Sequence, residues 1–144
     1  MDKYDALKID NQLCFPLYAC GKEVTRLYKP ILDEFDLTYT QYVSMMVIWE
    51  HKCIRLKDLG DKLYLDSGTL TPLLKKLESK GYISRIVDED DGRNLMVKVT
   101  DKGMELREKA LEIPAKIACK IDLDPESAKN FYDTLYKILD SVTK

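Results

Sequence analysis

The chain has 144 residues, 45% hydrophobic and 33% charged, with 23 lysines and arginines against 25 aspartates and glutamates. A chain of this length typically buries about 68–70% of its unfolded surface, enough for a core without disulfides or structural metal, which excludes a disulfide scaffold. No stretch approaches the roughly 18 apolar residues of a spanning helix, and the start MDKYDALKID lacks the apolar core of a signal peptide, so a cytoplasmic protein with no membrane partner is expected.

The net charge of −2 argues against a uniformly basic binder of nucleic acid, but the charge is unevenly placed. Residues 51–80 carry seven basic against four acidic side chains, whereas residues 1–50, 81–100 and 101–144 are each net acidic. Attraction to a polyanion is therefore concentrated in the second block. After Asp10 and Asn11, which suit a cap, Leu13, Leu17, Val24, Leu27, Tyr28 and Ile31 recur at helical spacing and predict a long first helix to about Phe35. Pro16 suits a first turn and kinks an interior, so this helix begins near Phe15 or bends there, and either way Cys14 lies near its N-terminal end. Thr40 is the expected cap of a second helix over 41–50, with Val43, Met46, Val47 and Ile48 suited to burial. Two shorter helices follow over 56–63 and 67–80, the second with Leu70, Leu73, Leu74 and Leu77 on one face and Gly81 as its C-cap. The pattern then switches to two strands, 82–87 and 94–99, joined by the turn-rich segment 88–93. Helix resumes over 103–119 and 125–142. The expected fold is mainly α with one small β-hairpin, a single continuous domain without repeats or linkers.

Two short helices, the second closed by glycine and followed directly by a hairpin, spell a winged helix-turn-helix whose second helix reads double-stranded DNA. With its leucines inward, that helix leaves Ser67, Thr69, Thr71, Lys75 and Lys76 for the groove. Hydroxyls and helix-start amides bind phosphates or base edges, and lysine supplies sequence-independent attraction to the backbone. The same residues would suit an ordinary amphipathic helix with a solvated basic face; the hairpin favours DNA. At the hairpin tip Arg93 follows four acidic residues, 88–91. The tip as a whole repels phosphate, yet an arginine at a tight turn can enter a narrow minor groove with Asp91 bracing its guanidinium.

The four cysteines, Cys14, Cys20, Cys53 and Cys119, match no paired zinc spacing, so cysteine here means packing or redox chemistry. A thiol at a helix N-terminus faces the positive end of the dipole and is biased towards thiolate, the form peroxides oxidise. Phenols hydrogen-bond a thiolate: Tyr18 follows Cys14 by four residues, and Tyr28 lies about 40° from it around a straight helix, although core or interface packing would also account for these rings. Cys20 is about 9 Å from Cys14 along a helix, beyond the roughly 7 Å a disulfide spans. Cys20 and Cys53 read as structural. His51, the only histidine, has no cluster around it and suits a surface or helix-end role. No metal site, cofactor site or catalytic triad emerges.

The segments NQLCFPLYA (11–19), LYKPILDEFDLTYTQY (27–42), LYLDSGTLTPLLKKLE (63–78) and VTDKG (99–103) resemble those of MarR-family regulators, specifically the organic hydroperoxide resistance type, nearly from end to end. The resemblance implies a peroxide-sensing cysteine at Cys14, hydrogen-bonded by tyrosines matching Tyr18, Tyr28 and Tyr39, some from the partner subunit. It implies an obligate homodimer built on helices over 10–35 and 103–144, with the winged helix over 40–100. It also implies loss of a pseudo-palindromic operator on oxidation by an organic hydroperoxide or other oxidant. Some members carry a second, resolving cysteine a few residues after a proline in the fifth helix, and Pro114 and Cys119 match that spacing. The chain departs from the family at Pro16 and in a wing tip reading DGR. The expected function is a redox-sensing repressor, not an enzyme. The alternatives are a MarR-type repressor released by a small aromatic ligand and a thiol peroxidase, which the absence of a thioredoxin-like βαβ pattern disfavours.

Overall fold

A computed structural model describes residues 2–90 and 92–143, and the chain packs as two compact units, one ending at Leu111 and the other beginning at Glu112. The first opens with two 3-10 turns, Lys3–Leu7 and Ile9–Asn11, before α1 (Cys14–Asp33). Pro16 falls in the first turn of α1, where a missing N–H costs nothing, so no bend is required there.

The second helix, α2 (Tyr39–His51), starts earlier than expected. Its cap is Thr38 rather than Thr40: the Thr38 hydroxyl accepts the Gln41 N–H at 3.2 Å, and the Gln41 side chain accepts the Thr38 N–H at 3.0 Å. This reciprocal capping box satisfies two end donors, whereas Thr40 lies inside the first turn. α2 packs against α1, α3 (Leu56–Leu63), α4 (Ser67–Ser79) and α5 (Asp101–Ala110). Its Met45 and Ile48 are completely buried, together with Leu59, Leu74, Leu77 and Val97 of the surrounding elements.

A strand that the sequence did not announce, β1 (Cys53–Arg55), joins the expected pair β2 (Ile83–Val87) and β3 (Leu95–Val99) in an antiparallel sheet of order β1-β3-β2. Ile54 is opposite Val97 and both are buried. Three residues are too short for a period-2 pattern to register; the partner strand makes β1 extended. Trp49 ties α2 to the start of α5, its indole N–H donating to the Gly103 carbonyl at 2.9 Å.

The helix expected over 103–119 is broken. α5, capped by Thr100, ends at Ala110, and α6 (Ile113–Ala118) begins afresh with Pro114 in its first turn. Pro114 has no N–H to donate to the Ala110 carbonyl four residues back, so the helical ladder is interrupted here although Leu111 and Glu112 keep helical backbone. In the second unit α7 (Pro125–Val142) is capped by Asp124, whose carboxylate accepts the Ser127 N–H at 2.8 Å. None of its 18 residues is buried. Among the described residues no helix is long and apolar enough to cross a membrane.

Candidate nucleic-acid interface and cysteine site

The helix expected to read DNA, α4, is fixed at both ends. Asp66 accepts the Thr69 N–H at 2.8 Å, and this backbone bond, reinforced by the Thr69 side chain, holds its carboxyl below the usual range. At the other end Gly81, at φ 85°, bonds back to the Glu78 carbonyl, and Tyr82 to that of Leu77, a Schellman closure that explains the glycine. Leu70, Leu73, Leu74 and Leu77 are buried, while Ser67, Thr69, Lys75 and Lys76 are exposed and Thr71 half-buried. At about 100° per residue the centre of the outward face falls on Gly68, Pro72 and Lys75, with Ser67 and Thr71 on one flank and Thr69 and Lys76 on the other. Gly68 and Pro72 are therefore surface positions that residue-type reasoning passed over.

The wing is strapped to this helix. The Glu78 carboxylate accepts three bonds from Arg85 on β2: the backbone N–H at 3.1 Å, Nε at 3.3 Å and Nη2 at 3.0 Å. The guanidinium holds the Glu78 carboxyl below its ordinary range. The opposite charges are visible in sequence, but only the fold puts them in register. At the tip, the Asp88 N–H meets the Asn94 carbonyl at 2.8 Å and the Asp90 N–H meets the Asp88 carboxylate at 3.0 Å. Arg93 is exposed. Asp91 lies outside the described residues.

All four cysteines are exposed, including Cys20 and Cys53, which the sequence reads as structural. Cys20 is on the outer side of α1, and Cys53 is on an edge strand paired on one side only. Cys14 is the first residue of α1. Cys119, just past α6, donates from Sγ to the Lys116 carbonyl at 3.2 Å. His51 is an exposed helix-end residue whose Nδ1 lies 3.0 Å from the Val47 carbonyl. Among the described residues no group of three or more His, Cys, Asp or Glu could hold a metal.

The tyrosines divide into two sets. Tyr18 is exposed near Phe15, with ring centroids 6.5 Å apart. Tyr28 and Tyr39 face each other at 4.9 Å, and Tyr42, not anticipated from the sequence, joins them at 5.8 Å from Tyr28. Burial raises the pKa of all three phenols above the ordinary value, with mutual repulsion adding to it at Tyr28 and Tyr42, so each is a neutral donor at neutral pH. Cys14 and Tyr28 share a face of α1 but stand fourteen residues apart, about 21 Å at 1.5 Å per residue. One chain cannot bring them together. A cleft of about 310 Å³ opens beside Tyr39, lined also by Thr25, Arg26, Lys29, Leu32 and Leu37.

A helix-turn-helix whose second helix is strapped to an antiparallel wing defines the winged-helix class of transcriptional regulator. Residues 26–110 match the family described as transcriptional regulator SarA/Rot. The chain is 43% identical over 141 residues to the organic hydroperoxide resistance transcriptional regulator of Bacillus subtilis, covering 98% of this chain and 96% of that protein. It is 31% identical to AbfR, a protein of Staphylococcus epidermidis, in its reduced state bound to DNA, with a TM-score of 0.81 over 99% of this chain and 100% of that one. Against disulfide-formed AbfR the TM-score is 0.68, at 31% identity, over 95% of this chain and 96% of the other. A mutant of E. coli MarR complexed with operator DNA gives a TM-score of 0.83 at 25% identity, covering 96% and 99% of the two chains. The chain belongs to the MarR-type family of transcriptional regulators, in its organic hydroperoxide resistance group.

Proposed function

We propose that this protein is a homodimeric, redox-sensing repressor that leaves double-stranded operator DNA when Cys14 is oxidised by an organic hydroperoxide. The observation that carries the reading is the separation within one chain of an exposed Cys14 from the donors Tyr28 and Tyr39. A second copy, its α1 running the other way, would supply those donors to the sulfur while Tyr18 stays local. Uncovered apolar side chains supply the interface: Leu13, Phe15 and Tyr18 on α1, and Phe131, Tyr132 and Tyr136 on α7. We assign dimerisation to helices within 10–35 and 103–144, and DNA reading to 40–100. Ser67, Thr69, Thr71, Lys75 and Lys76 would meet the groove, with Arg93, braced by Asp91, at the wing. Two such readers address half-sites about 34–36 Å apart on a pseudo-palindromic operator.

In the first step the Cys14 sulfur attacks one peroxide oxygen. The O–O bond breaks, the sulfur becomes Cys14–SOH, and the departing alkoxide takes up a proton as the alcohol. In the second, the Cys119 thiolate of the partner subunit attacks that sulfur, forming the disulfide, and the hydroxide leaves with a proton as water. Moving occupancy from 99:1 to 1:99 needs about 5.5 kcal/mol, which a crosslink dragging helices supplies more readily than one added oxygen. The likeness is greater to DNA-bound AbfR, whether reduced or overoxidised, than to disulfide-formed AbfR, which supports the disulfide rather than an added oxygen as the state that leaves DNA. A sensor that starts as a thiol belongs in a reducing compartment, hence the cytoplasm. The chemistry is stoichiometric.

The test is a gel shift on DNA upstream of the protein's own gene, with and without cumene hydroperoxide, beside non-reducing gels. The wild type is expected to release DNA and form a crosslinked dimer; Cys14→Ser should do neither, and Cys119→Ser should stop at a sulfenic or mixed-disulfide form. Release by Cys14→Ser would refute the sensor assignment, and a wild-type crosslink in Cys119→Ser would refute the resolver. The cleft beside Tyr39 favours one second reading, release by a small aromatic ligand. Release by such a ligand with no response to hydroperoxide would establish it.

A further inference from the structure

The tyrosine cluster and the recognition helix belong to different parts of the first unit, and one side chain spans them. Lys80 is the C-cap of α4, three-quarters buried, with its ammonium turned away from the DNA face into the corner between α1 and α2. It donates to the Asp36 carbonyl, stands 3.5 Å from the Asp36 carboxylate, and lies 3.5 Å from the Gln41 side-chain oxygen. An ammonium has three N–H donors, and here three oxygen acceptors belong to that single corner.

Two of the acceptors, the Asp36 carbonyl and the Gln41 oxygen, are themselves held in place, while the Asp36 side chain is exposed. Asp36 takes a left-handed backbone, φ 53°, between the end of α1 and the buried Leu37, whose N–H returns to the Leu32 carbonyl at 3.1 Å. The Gln41 oxygen is the acceptor of the α2 capping box. Tyr39, between Thr38 and Gln41, is the ring that faces Tyr28. On its other side the Lys80 carbonyl receives Lys102 Nζ at 2.7 Å, and the adjacent Gly81 carbonyl receives the Thr100 hydroxyl at 2.5 Å. The end of α4 is thus gripped by the tyrosine-bearing corner through the Lys80 side chain, and by α5 through backbone carbonyls.

We infer that Lys80 is a positioning residue that makes the angle of the recognition helix depend on the state of the Tyr28–Tyr39 corner. The inference rests on the redox reading above. A shift of the corner when the sulfur loses its tyrosine partners moves three acceptors of one ammonium, and the end of α4 must follow or lose all three. Coupling between sites needs such a physical element, with both ends biased by it. Without the ammonium, α4 keeps its leucine core against α2 and its Gly81 closure but loses the polar tie between its end and the corner.

The test is Lys80→Met, which keeps the apolar stem and removes the donors, in the full-length protein. Fluorescence anisotropy on the protein's own upstream DNA is read before and after cumene hydroperoxide. Hydroperoxide is expected to weaken wild-type binding on the order of 100-fold and Lys80→Met binding about tenfold or less, with Lys80→Arg restoring most of the response. A merely structural role would weaken reduced and oxidised binding equally and leave the ratio at the wild-type value, which overturns the inference. If Lys80→Met is unfolded by circular dichroism, Lys80→Gln, which keeps a polar side chain but has no ammonium to hold the three acceptors, is read instead. A reduced ratio then supports the coupling and an unchanged one overturns it. A wild type that holds DNA equally in both states overturns the redox reading and the coupling together, whereas a responsive wild type with an equally responsive Lys80→Met overturns the coupling alone.

Discussion

Gly103, the last residue of the VTDKG segment, stands where α5 crosses the sheet, and alanine there should destabilise the protein more than a helix position would suggest. A Cβ at this position would run into the Tyr82 carbonyl oxygen, and would lie 2.7 Å from Val99 Cγ2 and 3.2 Å from the Tyr82 carbonyl carbon. Carbon pairs rest at about 3.5–4.0 Å, so α5 must move by roughly 1 Å. It is poorly able to do so: the Thr100 N–H bonds the Tyr82 carbonyl at 3.0 Å, the Thr100 hydroxyl bonds the Gly81 carbonyl at 2.5 Å, and Trp49 holds the Gly103 carbonyl at 2.9 Å. Overpacking costs about 1–3 kcal/mol. A weakened buried hydrogen bond adds about 1 kcal/mol. The better helix propensity of alanine returns about 1 kcal/mol. A net loss of about 1–3 kcal/mol, divided by an unfolding entropy of about 0.3 kcal/mol/K for 144 residues, lowers the melting temperature by roughly 3–10 °C. Circular dichroism at 222 nm, at one fixed protein concentration because dimerisation shifts the midpoint, measures it. A midpoint within about 2 °C of wild type would refute the claim that this crossing is rigid.

Thr38→Ala removes the capping box of α2 and should cost about 1 kcal/mol in urea unfolding, with the m-value unchanged; no loss of stability would mean that water caps the helix as well as the hydroxyl does. Lys75→Ala should weaken binding of all sequences and flatten the salt dependence if its partner is phosphate, or weaken the operator selectively if its partner is a base, so unaltered affinity for both operator and random DNA would remove it from the interface. Tyr28, Tyr39 and Tyr42 have folded pKa values raised above the ordinary 10.0, so the native state keeps protons that the unfolded chain releases first. Their contribution to stability is complete below pH 10 and falls as the pH rises through the folded values, and tyrosinate absorbance at 295 nm should show a late-titrating component that shrinks in the triple phenylalanine variant, leaving that of Tyr132, raised by its hydrogen bond with Tyr136. A late component of equal amplitude in wild type and variant, with the loss confined to ordinary tyrosines, would show that the three rings are not buried in solution.

Features governed by local chemistry are legible in the chain of residues alone. Leucines at 70, 73, 74 and 77 at helical spacing, the glycine at 81 and the alternating runs on either side of 88–93 specify the reader helix, its stop and the wing, because helical period, left-handed closure and strand alternation are short-range properties. The tyrosines and Cys14 were likewise visible as residue types able to make a thiolate site. The tertiary structure decided what depends on distance. β1 is extended because β3 lies beside it, and three residues are too few to announce that. Thr38 displaces Thr40 as a cap because the capping box needs Gln41 three residues on in a particular geometry. Helical phase put Cys14 and Tyr28 on one face, but the axial rise separates them by about 21 Å. Tyr42 joins the cluster and Lys80 reaches Asp36 only because α1, α2 and α4 pack together at those points, and Glu78 grips Arg85 only because β2 turns back along α4. Contacts of that kind are set by how faces pack, which no single-residue signal encodes.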